Sequence, residues 1–519
     1  MRPEDFNISK EKLVFRANDD KIHDLKLDTK PVSYFKDAFY RFSRNKASIV
    51  AACIIIFLVL FAIIVPFTTP YEVSYRDEKF RNTIPRNELL LDLGVDFWDG
   101  YKETEVSELQ YLIYKGIEQE TGNELFKRGE VEFVENNTGK ETVINYKFRL
   151  DTYRQHGLIF KTLTTDEYIK LQEYQNRTQI QIIFPITDEA LRPSRQEYPQ
   201  WFEEANIWYK TTRNKQKKFA VDLDEEGNFQ PIYVAYTGTD NYNSLRVEGE
   251  TPLYDYAQPK QGGQVIVRVL YYEYYIYYHS EIAKDEISKP SFFFGTTDSG
   301  QDILTALSSG ARFSFLLAVG VSIVNLLVGA IYGAIEGYYG GKIDIIMERI
   351  VDLLSAIPSM VVISLLKYHF KVEHWIILVY SFFLTGWIGM AGRTRMQFYR
   401  FKNQEYVLVA RTLGASDRRI MFKHIFPNAI GTLITSCVLV IPGVIFSETS
   451  LSYLGIINLN TGDLTSVGTL LAAGQSKLYT YPHIILFPAV FISLLMLSFN
   501  LFGNGLRDAF NPSLRGSEE

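Results

Sequence analysis

Cysteine is scarce in this sequence: the thiols are Cys53 and Cys437, each inside an apolar run. Two such residues build neither a disulfide framework nor a cysteine metal site, so both read as small packing side chains. Positive charge is in short supply as well. The 54 Lys and Arg are outnumbered by 60 Asp and Glu, giving a net charge of -6. That balance excludes nucleic acid as the main partner, because neutralising phosphates needs a basic surface. No Gly-x-x-x-x-Gly-Lys-Ser/Thr phosphate cradle occurs, nor any nucleotide motif of comparable specificity. The chain is therefore expected not to hydrolyse ATP, and it reads as a non-enzyme. Collagen-like, low-complexity and wholly disordered classes are excluded too, and 519 residues exceed one hydrophobic core, so at least two folding units are expected.

What the sequence does have is apolar residues gathered into runs. Ala47 to Phe67 holds no charge over 21 residues, and a bilayer-crossing helix needs about 20. A cleaved signal peptide would carry a shorter apolar stretch nearer the start and a small-residue cleavage site, so this segment is expected to stay. Five further spans are expected near Phe313 to Tyr339, Ile350 to Leu366, Trp375 to Ala391, Ile430 to Phe446 and Pro482 to Leu501. Six spans put both ends on one side of the membrane.

Charge chooses the side, because Lys and Arg near span ends are retained in the cytoplasm. Lys36, Arg41, Arg44 and Lys46 precede the first span, and Arg393 to Pro427 carries a net +6. The stretch from Thr68 to Gly310 has a net charge of -13, and the rest of the chain one of +7. The expected plan is a cytoplasmic segment at 1–46, a first transmembrane helix at 47–67 and an extracytoplasmic inserted domain at 68–293. A five-helix core follows at 294–506, with a cytoplasmic loop at 393–427 and a cytoplasmic tail at 507–519. This makes a multi-pass cell-membrane protein with both termini inside.

The insertion is long enough for a core of its own. Strand patterns at Thr142 to Leu150, Gln179 to Pro185, Lys217 to Asp222 and Gln264 to Tyr278, with a helical pattern at Val106 to Glu118, predict an α+β mixture. The run Tyr271 to Tyr278 has two readings. It is either an exposed aromatic surface for a peptide or protein partner, or a central strand with tyrosines on both faces.

Between the fourth and fifth spans, the sequence from Arg393 to Ala429 predicts two helical pieces around Gly414, with Ser416 and Asp417 placed to cap the second. A basic amphipathic pair of this kind suits either a lipid interface or a docking plug for another protein. Elsewhere, Gly329, Gly333 and Gly337 line one helix face for close approach, either as a sliding surface between subunits or as tight packing. Glu336 and Glu448 are carboxylates in apolar surroundings, and Glu448 reads as a structural or gating group near the outer mouth in preference to a proton relay. Arg349 and Asp352 are spaced to pair on one helix face.

The order Glu405-Tyr-Val-Leu-Val-Ala410-Arg411-Thr-Leu413-Gly414-Ala415-Ser416-Asp417, continuing to His424-Ile425-Phe426-Pro427, resembles the coupling loop of membrane subunits of ATP-binding-cassette importers. More narrowly it is similar to the second, C-type permease of oligopeptide and dipeptide importers. Further blocks agree in order: Phe294-Gly295-Thr-Thr-Asp298-Ser-Gly300-Gln-Asp302, then Gly337-Tyr-Tyr-Gly340-Gly341, then Arg349, Asp352 and Pro358. Trp387 with Arg393 and Arg395 comes next, followed by Glu448-Thr-Ser-Leu451-Ser452-Tyr-Leu454-Gly455, Phe499-Asn500-Leu-Phe-Gly503, Leu506-Arg507-Asp508 and Asn511-Pro512. The likeness covers 35–70 and 290–515. Two features depart from it. The family's Glu-Ala-Ala is replaced by Leu408, Val409 and Ala410, which leaves Glu405 as the carboxylate of that helix, and nothing in the family describes 72–289.

The resemblance implies an all-α polytopic membrane protein of six transmembrane helices with the type I importer permease fold, carrying the α+β extracytoplasmic insertion. It implies transport of oligopeptides or dipeptides, with nickel or glutathione as alternative solutes; the long insertion, rather than the resemblance, raises an ATPase-driven mechanotransmitter acting through the outer domain as a rival. The implied partners are a homologous permease, two cytoplasmic subunits that bind the ATP and Mg, and an extracellular peptide-binding protein. No cofactor is implied for this chain. The coupling residues carried over are Glu405, Ala410, Gly414, Ala415, Ser416, Asp417, Arg418 and Arg419. Gly333, Gly337, Arg349, Asp352 and Glu448 are carried over as gating or packing positions.

Overall fold

The computed structural model describes residues 34–93, 95–127, 132–137, 142–191, 205–206, 210–213, 219–238, 252–285, 287, 289–459 and 464–510. The amphipathic α1 (Tyr34–Arg44) leads into α2 (Lys46–Thr68). Asn45 caps α2, its side chain accepting from the Ser48 amide at 3.2 Å. The chain then leaves the helical bundle for more than 200 residues and returns at α7 (Ile303–Tyr339), whose first turn is capped by Asp302 accepting from the Thr305 amide at 2.8 Å.

That excursion contains α3 (Glu88–Asp92), β1 (Tyr101–Ser107), α4 (Glu108–Thr121), β2 (Glu132–Asn137), β3 (Thr142–Asp151), β4 (Leu158–Thr164) and α5 (Thr165–Thr178). β5 (Ile183–Phe184), β6 (Thr211–Arg213), β7 (Phe219–Val221), β8 (Ala257–Lys260), β9 (Gln264–Leu270) and α6 (Tyr271–Tyr277) complete it. One antiparallel sheet runs β1-β3-β2 and is covered by α4, with Ile113, Ile117, Phe126, Phe148 and Leu150 in its core. A second runs β4-β9-β5, with β8 also on β9, and buries Leu163, Tyr168, Leu171, Val265 and Val267 beneath α5. Arg268 of β9 joins the two. Fully buried, it donates to both Glu120 carboxylate oxygens at 2.5 and 2.6 Å, and also to the carbonyls of Ala205 and Pro185. A bidentate pair satisfied in this way is costly to break from one side.

The tyrosine run is neither of the two structures expected for it. β9 ends at Leu270, and Tyr271 opens α6, which continues as a π-helical turn over Tyr278–Ala283. Strand alternation cannot be told from helical spacing when nearly every residue is aromatic; the distinction comes from what the faces meet. Tyr271 and Tyr275 enter one core with Phe80, Tyr153 and Phe292, while Tyr274 and Tyr277 enter the core of the second sheet. A helix flanked by two cores is buried around most of its girth. Its hydroxyls meet the membrane-proximal chain, Tyr275 bonding to Tyr75 at 3.1 Å and Tyr271 to Asp77. Three other expectations shift. Gln179 to Pro185 keeps strand pairing only at Ile183–Phe184, because Gln179 takes a left-handed conformation that caps α5. Lys217 to Asp222 is paired at Phe219–Val221, and Val106 to Glu118 is strand through Ser107 before it turns helical.

After α7 come α8 (Gly341–Ser355), α9 (Ser359–His369), α10 (His374–Thr385), α11 (Ile388–Phe401), α12 (Glu405–Thr412), α13 (Asp417–Arg419) with a π-helical turn at Ile420–Ile425, α14 (Phe426–Tyr453), α15 (Val467–Gln475) and α16 (His483–Phe510). α7 holds 37 residues, about 55 Å at 1.5 Å per residue, which exceeds a hydrocarbon layer of about 30 Å. At its first turn Thr305 bonds to Thr69 at the end of α2 (3.0 Å). At its last, Lys402 after α11 donates to the Gly337 carbonyl at 3.0 Å. The bent pair α8–α9 links these ends: Asp344 meets Arg395 at the far end, while Lys367 reaches the carbonyl of Ile456 beyond α14. The pair bends by 68°, so the span expected at Ile350 to Leu366 is broken rather than continuous. Pro358 disfavours helical geometry at the residue before it. Among the described residues five helices are long and apolar enough to cross a membrane, and six spans are reached if the bent pair is counted as one.

The glycine stripe of α7 lies against α11 of the same chain. A Cβ on Gly333 would stand 2.1 Å from the Ala391 carbonyl, and one on Gly337 would stand 2.7 Å from that of Arg395. The stripe is thus intrachain packing. Gly333→Ala is expected to destabilise by roughly 1–3 kcal/mol in thermal unfolding of the detergent-solubilised chain, whereas Gly320→Ala, mid-helix with open space around its Cβ, is expected to stabilise by up to about 1 kcal/mol.

In the excursion, burial, with a smaller contribution from the Lys79 charge, pushes the His156 imidazole down to about 4 from 6.5. The unfolded chain then takes up the proton between about pH 6.5 and 4 while the folded one resists it, so stability falls as pH drops through that window. His156→Gln is expected to flatten this slope in unfolding measured against pH.

Candidate functional site

α12 and α13 form the bent pair expected around Gly414. The turn closes through the Gly414 amide on the Arg411 carbonyl and the Ala415 amide on the Ala410 carbonyl, each 3.0 Å. These are the two bonds of a helix terminus whose next residue is left-handed, and Gly414 supplies that residue at φ +81°. One side of the turn is internal. Val407 and Ala410 are buried, and Val407 packs with Ile420, Met421, Ile425, Phe398, Ala334 and Tyr338, with Ala415 against the same cluster. The other side is open: Glu405, Leu408, Val409, Leu413, Gly414, Ser416, Arg418 and Arg419 face outward, Leu413 at 82% exposure.

Ser416 stands at the N-cap position of α13, but its side chain makes no capping bond there. Asp417 does not cap either; it accepts from the Tyr338 hydroxyl at 2.6 Å, and Arg411 donates to the same hydroxyl at 3.4 Å. A charge-assisted bond to a phenol displaces the weaker local cap, and it ties the turn to the last residues of α7. Sequence reading of the loop alone missed Tyr338, although its place in the Gly337-Tyr-Tyr-Gly340-Gly341 block was a signal.

A second tie runs through Arg395 of α11, which reaches Asp344 at 2.7 Å, Glu348 at 3.3 Å and the buried Glu336 at 3.5 Å. Tyr399 also bonds to Asp344. Arg395 is the shared cation for three carboxylates contributed by α7 and α8, so the expected interest in Glu336 resolves into this network. Arg349 and Asp352 do pair, at 3.0 Å, but as an exposed pair on α8 away from it. Glu448 is fully buried near the opposite end, accepting from Ser314 at 2.8 Å and Ser452 at 3.1 Å. Hydroxyls rather than a cation hold it. Gly333 and Gly337 are packing positions, as above.

A cavity of about 450 Å³ opens between α11, α14 and α16, lined by Arg393, Arg400, Arg507, Thr432, Ser436 and Leu439 among others. No residue of this cavity was singled out as a site from sequence. Its arginines lie on two helices, Arg393 and Arg400 on α11 and Arg507 on α16, that only the fold brings together. Among the described residues no cluster of metal-ligating side chains occurs.

Residues 325–516 match the family described as binding-protein-dependent transport system inner membrane component, and 33–85 match the N-terminal transmembrane domain of oligopeptide transport permease C. The oligopeptide transport system permease protein OppC of Bacillus subtilis is 42% identical over 231 residues, which cover 44% of this chain and 75% of that one. The dipeptide transport system permease protein DppC of the same organism is 38% identical over 233 residues, covering 43% and 69%. Escherichia coli OppC is 35% identical over 224 residues, covering 43% and 73%. Among solved structures, the MetNI methionine ABC transporter aligns over 40% of this chain and 96% of its own, at 12% identity and a TM-score of 0.33. Residues 86–324 lie outside both family matches.

Removing the ties should loosen the turn. Tyr338→Phe is expected to cost about 1 kcal/mol. Arg395→Ala, which leaves buried Glu336 without its cation, is expected to cost roughly 3 kcal/mol. Both are read from thermal unfolding in detergent, with trypsin cleavage at Arg418 and Arg419 speeding up in Tyr338→Phe.

Proposed function

The chain belongs to the oligopeptide and dipeptide permeases among the binding-protein-dependent inner-membrane transport components, and from that premise we propose how its parts work. It is the C-type permease subunit of an ATP-binding-cassette importer of type I architecture, moving oligopeptides or dipeptides across the cytoplasmic membrane. A homologous permease completes the pathway, two cytoplasmic subunits bind ATP and Mg, and an extracellular binding protein delivers the peptide. The Gly414 turn is cytoplasmic, with residues 1–46 and 507–519 on its side, and the excursion at 68–293 is extracytoplasmic. The charge balance supports that orientation, +6 over 393–427 against -13 over 68–310.

The observation that carries the proposal is the two-sidedness of the turn. Its outer side offers Leu408, Val409 and Leu413 beside Arg418 and Arg419, an apolar centre with a charged rim of the kind protein interfaces use. Its inner side is bonded to α7 through Asp417 and Tyr338. An ATPase subunit gripping the outer side therefore moves α7, and α11 with it through the glycine contact, as one body. Leu408 and Val409 replace the family's acidic-alanine pattern, so the grip on this chain is more apolar. Arg393, Arg400 and Arg507 line the inner mouth, where they meet the carboxylates of an emerging peptide.

Copurification from native membranes tests the grip: an ATPase subunit is expected to come down with the chain. Gly414→Pro, which forbids the positive φ, and the double charge swap Arg418→Glu with Arg419→Glu are each expected to release it. Retention in both variants refutes the docking role. Labelled-dipeptide uptake by proteoliposomes holding the assembled complex tests the solute, and uptake of nickel alone overturns the peptide assignment.

A further inference from the structure

Residues 88–93 and 95–97 belong to a short closed loop that lies outside both family matches. It begins and ends at one point: Asn87 donates to the Trp98 carbonyl at 3.0 Å, and Arg86 bridges to Asp99 immediately behind. Inside the projection, Asn87 caps α3 by accepting from the Leu90 amide at 3.0 Å, and the Val95 amide closes onto the Leu90 carbonyl at 3.1 Å. The shape is thus built by its own backbone. Its side chains are the anomaly. Leu89 and Leu93 are 75% and 77% exposed, and Leu91, Val95 and Phe97 are exposed with them. Five large apolar groups on one short closed loop form a patch that water penalises, and such patches mark interaction sites.

The place of the loop in the fold identifies what covers it. Phe97 lies against Phe487 in the first turn and a half of α16, ring centroids 6.0 Å apart, and Phe294 stacks on the same ring at 3.9 Å. Trp98 at the base is fixed by its indole N–H to the Phe293 carbonyl at 2.8 Å. From this level α16 runs on through the bundle with Leu486, Val490, Leu494, Leu497 and Leu501 exposed at helical spacing, the outer stripe of a spanning helix. The contact of Phe97 with Phe487 sets the loop beside the first turns of that helix. Two of the loop's three acidic groups are drawn off sideways, Glu88 to Lys289 at 4.0 Å and Asp96 to Lys127 at 3.8 Å, and Asp92 is exposed to water between Leu91 and Leu93. Trp and Phe at the base and Leu at the tip match the order of a bilayer boundary, aromatic rings at headgroup level and aliphatic groups deeper.

We propose that residues 88–97 are a membrane anchor: Leu89, Leu91 and Leu93 insert shallowly into the leaflet beside α16 and hold the inserted unit against the bilayer. The lipid is taken up through apolar contact, since the loop's own net charge is negative and gives anionic headgroups no attraction. The anchor rests on α16 being a membrane span but not on the solute or on the ATPase.

The test uses the full chain with its copurifying subunits in lipid nanodiscs, with Cys53 and Cys437 replaced by alanine and a bimane label at Leu93→Cys. Val490→Cys serves as the span control and Glu226→Cys, in an exposed turn of the insertion, as the aqueous control. Phosphatidylcholine brominated high on the acyl chain is expected to quench the Leu93 label at least twofold more than lipid brominated near the chain end. The quenching should be unaffected by 0.5 M salt, and aqueous iodide should quench it several-fold less than at Glu226. Iodide quenching equal to that at Glu226, without any bromolipid response, overturns the anchor. Protection from both quenchers that disappears when the other subunits are stripped away also overturns it, in favour of a protein contact. Absence of bromolipid quenching at Val490 as well overturns the spanning assignment of α16, and the anchor with it.

Discussion

Backbone contact between α7 and α11 is the constraint on which the membrane half depends. With Gly329, Gly333 and Gly337 along one face, the helices approach until a single added methyl would meet a carbonyl. In a lipid environment, where apolar burial gives helices little reason to associate, such close van der Waals packing is a main source of adhesion. The contact also fixes register. Arg395 comes level with Glu336 and Asp344, and Lys402 level with the end of α7, so the register of the charged network follows from three absent side chains.

The bundle was largely legible in the sequence because its governing signal, a long apolar run, survives almost any tertiary arrangement. The first span was read to within a residue at each end, and its neighbours were found with shifted ends. What the runs could not show is where a crossing breaks. Pro358 is a visible reason for the bend between α8 and α9, yet proline also sits inside α2 and α14 without ending them. The break depends on whether neighbouring helices satisfy the freed backbone groups. The bend at Gly414 was legible for the opposite reason: a left-handed residue needs glycine whatever surrounds it.

Partners of charged residues were the least legible part of the candidate site. Sequence spacing finds pairs on one helix, and it found Arg349 with Asp352, the exposed pair least connected to the rest. Arg395 with its three carboxylates, and Tyr338 with Asp417, join residues between 47 and 79 positions apart. No periodicity records such a separation. The tyrosine run failed differently: its composition satisfied strand and helix equally, and the choice was made by two cores with room for one element between them.

The 3.0 Å bond between Thr69 and Thr305 means that the excursion leaves the bundle and rejoins it at one doorway. Closing a longer loop between ends already held together adds entropy that grows only with the logarithm of its length. The helices therefore feel little difference between a short hairpin and a folded unit of more than 200 residues hung from the same two threonines. The arrangement is that of a pendant on a fixed clasp: the ornament can be exchanged for another of different size without restringing the chain that carries it.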